Sequence, residues 1–109
     1  MTEKIGAYLG FCIRSGKIIY GVDEIEKQKK GVYLLLADGA LSENSLKVVE
    51  KSREKLACPC LVTENGLLGE LLHKPAVKAA AVKDKNLALA ILSVANGDSQ
   101  FKLYSGGTN

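Results

Sequence analysis

The sequence predicts an α/β protein: a single-domain, three-layer α/β/α sandwich with a small mixed sheet of about four strands. Segments with the apolar spacing of helices alternate along the chain with short apolar runs of strand length. Glycine and proline signals separate these segments, and 47% hydrophobic residues in 109 are enough for one ordinary core. We therefore expect one domain over residues 1–97 and a partly mobile C-terminal tail over residues 98–109.

The first third of the chain is predicted to form a helix, a strand and a second helix. Apolar residues recur at helical spacing over residues 4–14, which predicts a first helix with one buried face. Residues 17–20 form a short β-rich run that Gly21 closes. A second helix is expected over residues 22–30, ending at Gly31.

The middle of the chain carries the clearest strand signal. Residues 32–37 are uninterrupted apolar residues, a pattern typical of a strand covered on both faces, and the run stops at Asp38. Ser42 is a plausible N-cap for a charged amphipathic helix that extends to about Ala57. Residues 60–63 are then expected to form another short strand.

The last third is predicted to repeat the alternation. Asn65 is expected to cap a brief leucine-rich helix that Pro75 ends from downstream. Residues 77–82 are interpreted as a further strand, and residues 86–95 as a strongly apolar helix. Beyond Tyr104 the tail is expected to be mobile.

Charge and cysteine content indicate which cellular compartment and which classes of binding partner to expect. The formal net charge of +3 and the pI near 8.8 favour an anionic partner only mildly. The three cysteines follow no recognisable secretory signal, so we expect reduced thiols and a cytoplasmic location. No apolar run approaches the roughly 20 residues of a membrane span, so no membrane partner is expected.

The residues that could support catalysis do not form a recognised pattern. The single histidine, His73, lies at a predicted helix end, and Cys58 and Cys60 adjoin an apolar strand, which favours packing over nucleophilic roles. A zinc site would need a fourth ligand beyond the three cysteines, and His73 has no matching spacing. No phosphate-binding glycine motif opens a helix. We therefore expect no enzyme activity, cofactor or metal.

The sequence leaves one catalytic alternative open, a general acid–base site made of paired carboxylates. Asp23, Glu24 and Asp38 all lie near predicted loops, where paired carboxylates could act as general acid and base. Acidic residues at helix N-termini are the favoured interpretation, because they interact well with the helix dipole.

The most specific pattern is residues 21–27, Gly-Val-Asp-Glu-Ile-Glu-Lys, which follows a short strand and opens a helix. It resembles the Gly-x-Asn-Glu-x-x-Lys element of the kink-turn-binding ribosomal protein superfamily of archaea and eukaryotes. Residues 15–20 are similar to the segment that precedes this element in the family. Further similar blocks occur in the same order at residues 32–38, 58–70 and 77–82. Within the superfamily, the chain most resembles the short bacterial YlxQ-like proteins.

The resemblance implies recognition of structured RNA, either kink-turn-like or ribosomal. The glycine would let the backbone approach RNA, while the polar side chains after it read tandem sheared G·A pairs. Ribosomal or RNA-processing proteins would be further partners. By this resemblance, the expected RNA-binding residues are Lys17, Gly21, Asp23, Glu24, Lys27, His73, Lys74 and Ala76.

Two positions depart from the family pattern. Asp23 replaces the family's asparagine, and an ionised aspartate only accepts hydrogen bonds. Lys74 replaces an apolar residue, so Lys74 and Lys78 would contact phosphates instead. A second hypothesis is therefore a protein-interaction module on the same fold that has lost RNA recognition. The sequence makes no prediction of the oligomeric state.

Overall fold

The structure is a computed structural model that describes residues 2–104. Helices and strands alternate along this part of the chain from beginning to end. In chain order the elements are α1 (Thr2–Arg14), β1 (Ile18–Tyr20), α2 (Val22–Glu26), β2 (Leu34–Asp38), α3 (Glu43–Leu56), β3 (Cys60–Thr63), α4 (Leu67–Leu72), β4 (Ala79–Val82), α5 (Lys85–Ala95) and β5 (Phe101–Leu103).

The five strands form one mixed sheet in the order β1-β4-β2-β3-β5. The β2 and β3 strands are parallel, with Leu35 opposite Cys60, while the other three pairings are antiparallel. The central strand β2 is buried at every position. The uninterrupted apolar run therefore forms a strand covered on both faces, as predicted.

Helices cover both faces of the sheet, which confirms the three-layer α/β/α sandwich. Alternate side chains of β2 enter opposite cores because successive strand residues point to opposite faces. Leu34 and Leu36 pack with α1, α4 and α5, whereas Leu35 and Ala37 pack with α2 and α3. The predicted N-cap of α3 is also confirmed, since the Ser42 hydroxyl accepts a hydrogen bond from the Ser45 N–H at 3.2 Å.

The prediction of four strands is wrong, because a fifth strand lies in the segment interpreted as a tail. In β5, Phe101 pairs with Thr63 of β3 and is only 6% exposed. The Tyr104 N–H donates to the Cys60 carbonyl oxygen at 2.8 Å. Residues 98–104 therefore pack on the domain, while the part of the tail predicted to be mobile, 105–109, lies outside the described residues.

The second helix is shorter than predicted, ending at Glu26 instead of extending to residue 30. Ile25 is its only fully buried side chain, so no second apolar residue holds a further turn against the sheet. The strands β2 and β4 each begin two residues later than predicted.

The predicted cap of α4 is also wrong. Gly66, not Asn65, is the N-cap residue, and no local side chain caps the helix. The Asp38 carboxylate instead accepts from the N–H groups of Gly66 and Leu68, at 2.9 and 3.1 Å. A distant residue thus replaces the expected local cap.

Candidate nucleic-acid interface

Two segments with predicted RNA-binding residues meet where β1 ends and β4 begins. The first loop is the turn at Gly21, and the second loop is the connection from α4 to β4, which contains Lys74 and Ala76. The strands are antiparallel, so Tyr20 lies opposite Ala80, and the Gly21 N–H donates to the Ala79 carbonyl oxygen at 2.8 Å. This pairing places Gly21 beside the segment that leads into β4. Together they line a shallow groove of about 280 Å³, which also includes Ala76. We call this the Gly21 groove.

Gly21 has a backbone conformation that suits only glycine. Its φ of 94° and ψ of 147° lie in a region that side-chain-bearing residues avoid because of steric strain. A Cβ atom added here would nonetheless meet nothing within 4 Å. The Cα of Gly21 therefore faces open space, which leaves room for the backbone of a ligand to approach closely.

The second loop is held against the first by a packed glycine and a cation–π contact. A Cβ at Gly69 would lie 2.9 Å from the Lys74 carbonyl oxygen, so the absence of a side chain lets the loop fold back on α4. The Lys74 ammonium then lies 5.4 Å from the centre of the Tyr20 ring. This contact, worth about 0.5–1 kcal/mol at exposed sites, keeps a positive charge next to Gly21.

The polar residues of α2 extend from the same turn and face solvent. Asp23, Glu24 and Lys27 are all exposed. The Lys27 ammonium lies 3.2 Å from a Glu24 carboxylate oxygen, one helical turn away. An exposed pair of this kind stabilises a helix by roughly 0.3–0.5 kcal/mol. Both side chains are therefore available to exchange this contact for a ligand.

Two predicted site residues lie apart from the groove. Lys17 precedes β1 and is thus at the opposite end of that strand, where its carbonyl oxygen accepts from the Lys83 N–H at 2.7 Å. His73 has a left-handed backbone, with φ of 56°, and lines a separate groove against Phe11 of α1. The structure brings Gly21, Lys74 and Ala76 together, with the α2 residues beside them.

Leu41 and Lys78 also line the Gly21 groove. Lys78 is predicted from the sequence as a phosphate contact, whereas Leu41 is not among the predicted residues. Both positions are fixed by Asp38, whose N–H donates to the Lys78 carbonyl oxygen at 2.8 Å and whose carbonyl oxygen accepts from the Leu41 N–H at 3.0 Å. The exposed lysine just before an alanine-rich strand was the only sequence signal. No sequence signal identified Leu41, because only the tertiary structure brings it into the Gly21 groove.

Asp38 is a buried carboxylate with four hydrogen bonds. Its oxygens accept from the backbone N–H groups of Ala40, Gly66 and Leu68 and from the Thr63 hydroxyl. Burial raises the pKa of Asp38, but these donors outweigh it and hold the pKa below its ordinary value. An aspartate so bound is ionised and structural, which argues against its use as a general acid or base.

The cysteines lack the character of nucleophiles. All three are free and buried. Burial raises the pKa of Cys12 to about 11 and that of Cys60 to about 12, and it also raises the pKa of Cys58. Because the thiolate is the reactive form, burial disfavours a nucleophilic role for these thiols near neutral pH. Across residues 2–104, no cluster of three metal-ligating side chains occurs, and no helix is both long and apolar enough to cross a membrane.

Comparison with known proteins adds information on the fold alone. No family model and no curated protein matches the chain. Among solved structures, the chain is similar to a protein with unknown function from Bacillus halodurans C, with a TM-score of 0.75 and 18% sequence identity. The match covers 85% of this chain and 97% of that chain. The sandwich architecture is therefore shared with a protein of remote sequence.

Proposed function

We propose that this protein binds structured RNA through the Gly21 groove and the exposed face of α2. One observation carries the proposal: two loops far apart in sequence line a single groove, with Gly21 and Ala76 in its wall. The family resemblance predicts RNA contacts for each loop separately. The Lys74 ammonium stands at the edge of the groove. The proposed RNA is kink-turn-like or ribosomal, and the protein would act in the cytoplasm as a ribosome-associated factor.

The chemistry of the groove suits a folded RNA backbone. Lys74 and Lys78 are exposed and would contact phosphates, which supplies affinity and fixes orientation. The open Cα side of Gly21 allows a sugar-phosphate strand to pass close to the chain. Glu24 and Lys27 would exchange their weak ion pair for contacts to base edges, since a glutamate accepts and a lysine donates.

Asp23 is the residue expected to limit recognition of a standard kink-turn. It is exposed on α2 next to Glu24, two residues after Gly21, so it adds a second carboxylate close to the proposed RNA site. An ionised aspartate repels phosphate and guanine oxygens, whereas asparagine can both donate and accept. We therefore expect the Asp23→Asn variant to bind kink-turn RNA more tightly than the natural chain.

The test is a salt titration of binding to a kink-turn RNA and to a duplex of equal length. The charge reversals Lys27→Glu and Lys74→Glu should weaken binding, and each lost phosphate contact should reduce the slope of log affinity against log salt by about one. Lys102→Glu is the matched control, because Lys102 is also exposed but lies in β5, at the far edge of the sheet.

Each result has a defined meaning. Preference for the kink-turn, lost on Lys74→Glu and kept on Lys102→Glu, would support the proposal. Equal weakening by all three reversals would reduce the interaction to non-specific electrostatics. Absence of binding to either RNA, with the fold intact by circular dichroism, would reject RNA binding at this groove and favour the protein-interaction alternative.

A further inference from the structure

A second groove lies at the opposite end of the sheet from Gly21. It is formed by the loop before β2, the turn between α3 and β3, and the first half of α5, and its volume is about 410 Å³. These segments adjoin the starts of the parallel strands β2 and β3, whereas the Gly21 groove adjoins the end of β2. Five strand residues, about 17 Å, separate the two ends. We call it the Leu89 groove.

The Leu89 groove exposes large apolar side chains. Leu89 is 57% exposed and Tyr33 is 41% exposed, and both line it. Its floor is apolar as well, because the buried residues Val32 and Ala88 also line the groove. Single exposed apolar residues need no explanation, but a concave group of them indicates a binding surface.

The charge around this apolar floor has one sign. Lys29, Lys30, Lys55 and Lys85 line the groove, and none of the described lining residues is acidic. The Lys55 ammonium donates to the Glu26 carbonyl oxygen at 2.8 Å. Within residues 2–104, the side chains of the other three lysines make no ion pair or hydrogen bond. Three positive charges therefore adjoin the apolar surface without a partner among the described residues.

We propose that the Leu89 groove binds an acidic, amphipathic segment of a partner protein. Apolar side chains of that segment would cover Leu89 and Tyr33, and its carboxylates would pair with the surrounding lysines. Charge complementarity of this kind steers association and selects partners. A groove of this size fits a short segment, and the expected complex is transient.

The floor favours a peptide over RNA as the occupant. Single-stranded RNA is bound by stacking of successive bases on aromatic rings. Tyr33 is the one aromatic residue among the described lining residues, and Leu89 and Leu92 supply aliphatic surface instead. Aliphatic surface suits the side chains of a peptide. The proposal does not rest on RNA binding at the Gly21 groove.

The test is selection from a displayed library of random 16-residue peptides on the purified full chain. The groove variant combines Leu89→Ser with Lys30→Glu. The control combines Leu103→Ser with Lys102→Glu, which removes an exposed leucine and reverses an exposed lysine in β5, outside this groove. Circular dichroism and thermal melting are measured first, to check that both variants fold.

We expect selected peptides to combine acidic with large apolar residues. Synthesised peptides should lose at least tenfold in affinity for the groove variant and less than twofold for the control. The proposal is overturned if selection gives no acidic and apolar bias, or if both variants weaken binding equally. It is also overturned if a uridine-rich single-stranded RNA binds the chain, loses tenfold on the groove variant and displaces the peptides, since the groove would then be an RNA site.

Discussion

Asp38 connects three parts of the protein through one buried side chain that is 2% exposed. Its carboxylate holds the turn after β2 through Ala40, the start of α4 through Gly66 and Leu68, and the end of β3 through Thr63. A buried charge costs free energy unless hydrogen bonds compensate it, and here four donors do so. Its backbone groups also bond Leu41 and Lys78, so the same residue positions two segments of the Gly21 groove.

The Asp38→Asn variant should lose roughly 1–3 kcal/mol of unfolding free energy at neutral pH, because an amide NH2 replaces one acceptor and faces backbone donors. The pKa of Asp38 is lowered in the folded protein. Its stabilising contribution is therefore present above the unfolded-state pKa, about 3.9, and disappears as the pH falls through the folded-state pKa. Urea unfolding across this range should show the difference from the natural chain shrinking with acid. A constant difference would contradict it.

Gly21 is the second residue on which the local structure depends. Gly21→Ala should cost about 1–3 kcal/mol, because alanine is strained at this φ and ψ although space is open around it. Gly66→Asn is the control, since Gly66 has the left-handed conformation that asparagine tolerates. Urea unfolding of both variants gives the comparison. Equal stability of Gly21→Ala and the natural chain would show that the turn relaxes freely.

At the scale of elements, β5 shows how a weak local signal becomes a strand. It has three residues, and after Tyr104 the sequence continues with serine and glycine. Pairing with β3 gives it hydrogen bonds, and Phe101 gives it a place in the larger core. The strand exists because β3 offers an otherwise unpaired edge, which no window of local sequence reports.

Two alanine substitutions within β5 separate its buried face from its exposed one. Phe101→Ala should lower the unfolding free energy by about 3 kcal/mol, because it removes a buried ring from the core. Leu103→Ala should change it by less than about 0.5 kcal/mol, since Leu103 is 66% exposed. Equal small effects in chemical denaturation would mean that β5 is not part of the cooperative core.

Local sequence signals define most features of α1 and α3, whereas α4 depends on a distant residue. Ser42 caps α3 from within its own sequence, and the apolar spacing of Ile5, Leu9 and Cys12 identifies the buried face of α1. In contrast, the cap of α4 comes from Asp38. Helices with local caps and periodic apolar residues were predictable, whereas the helix that depends on a remote carboxylate was assigned the wrong cap.

At the scale of the whole molecule, two grooves occupy opposite ends of one sheet. The Gly21 groove is small and has lysines beside a glycine turn, while the Leu89 groove is larger and has an apolar floor. A separation of about 17 Å exceeds the roughly 8 Å over which charges interact at physiological salt. The two surfaces would allow one small domain to join an RNA to an acidic protein.

This separation predicts that the grooves act independently. Leu89→Ser should change the affinity for kink-turn RNA by less than about twofold, because Leu89 does not line the Gly21 groove. Its effect should add to that of Lys74→Glu within about 0.5 kcal/mol. Fluorescence anisotropy on the single and combined variants with Lys74→Glu measures this. A change beyond that limit for Leu89→Ser alone would mean that the RNA reaches both ends or that the ends are coupled.

The fold class, the alternation of helices and strands and the burial of β2 on both faces could all be predicted from the amino-acid sequence alone. Apolar periodicity and run length report burial directly, so these features needed no tertiary information. The sequence also singled out the Gly21 turn and the Lys74 loop as candidates for one site. Tertiary structure decided that these loops share a groove, that Lys17 lies at the other end of β1, and that Asp38 caps α4. Those outcomes depend on strand order and register, which bring distant residues together through contacts that local patterns do not encode.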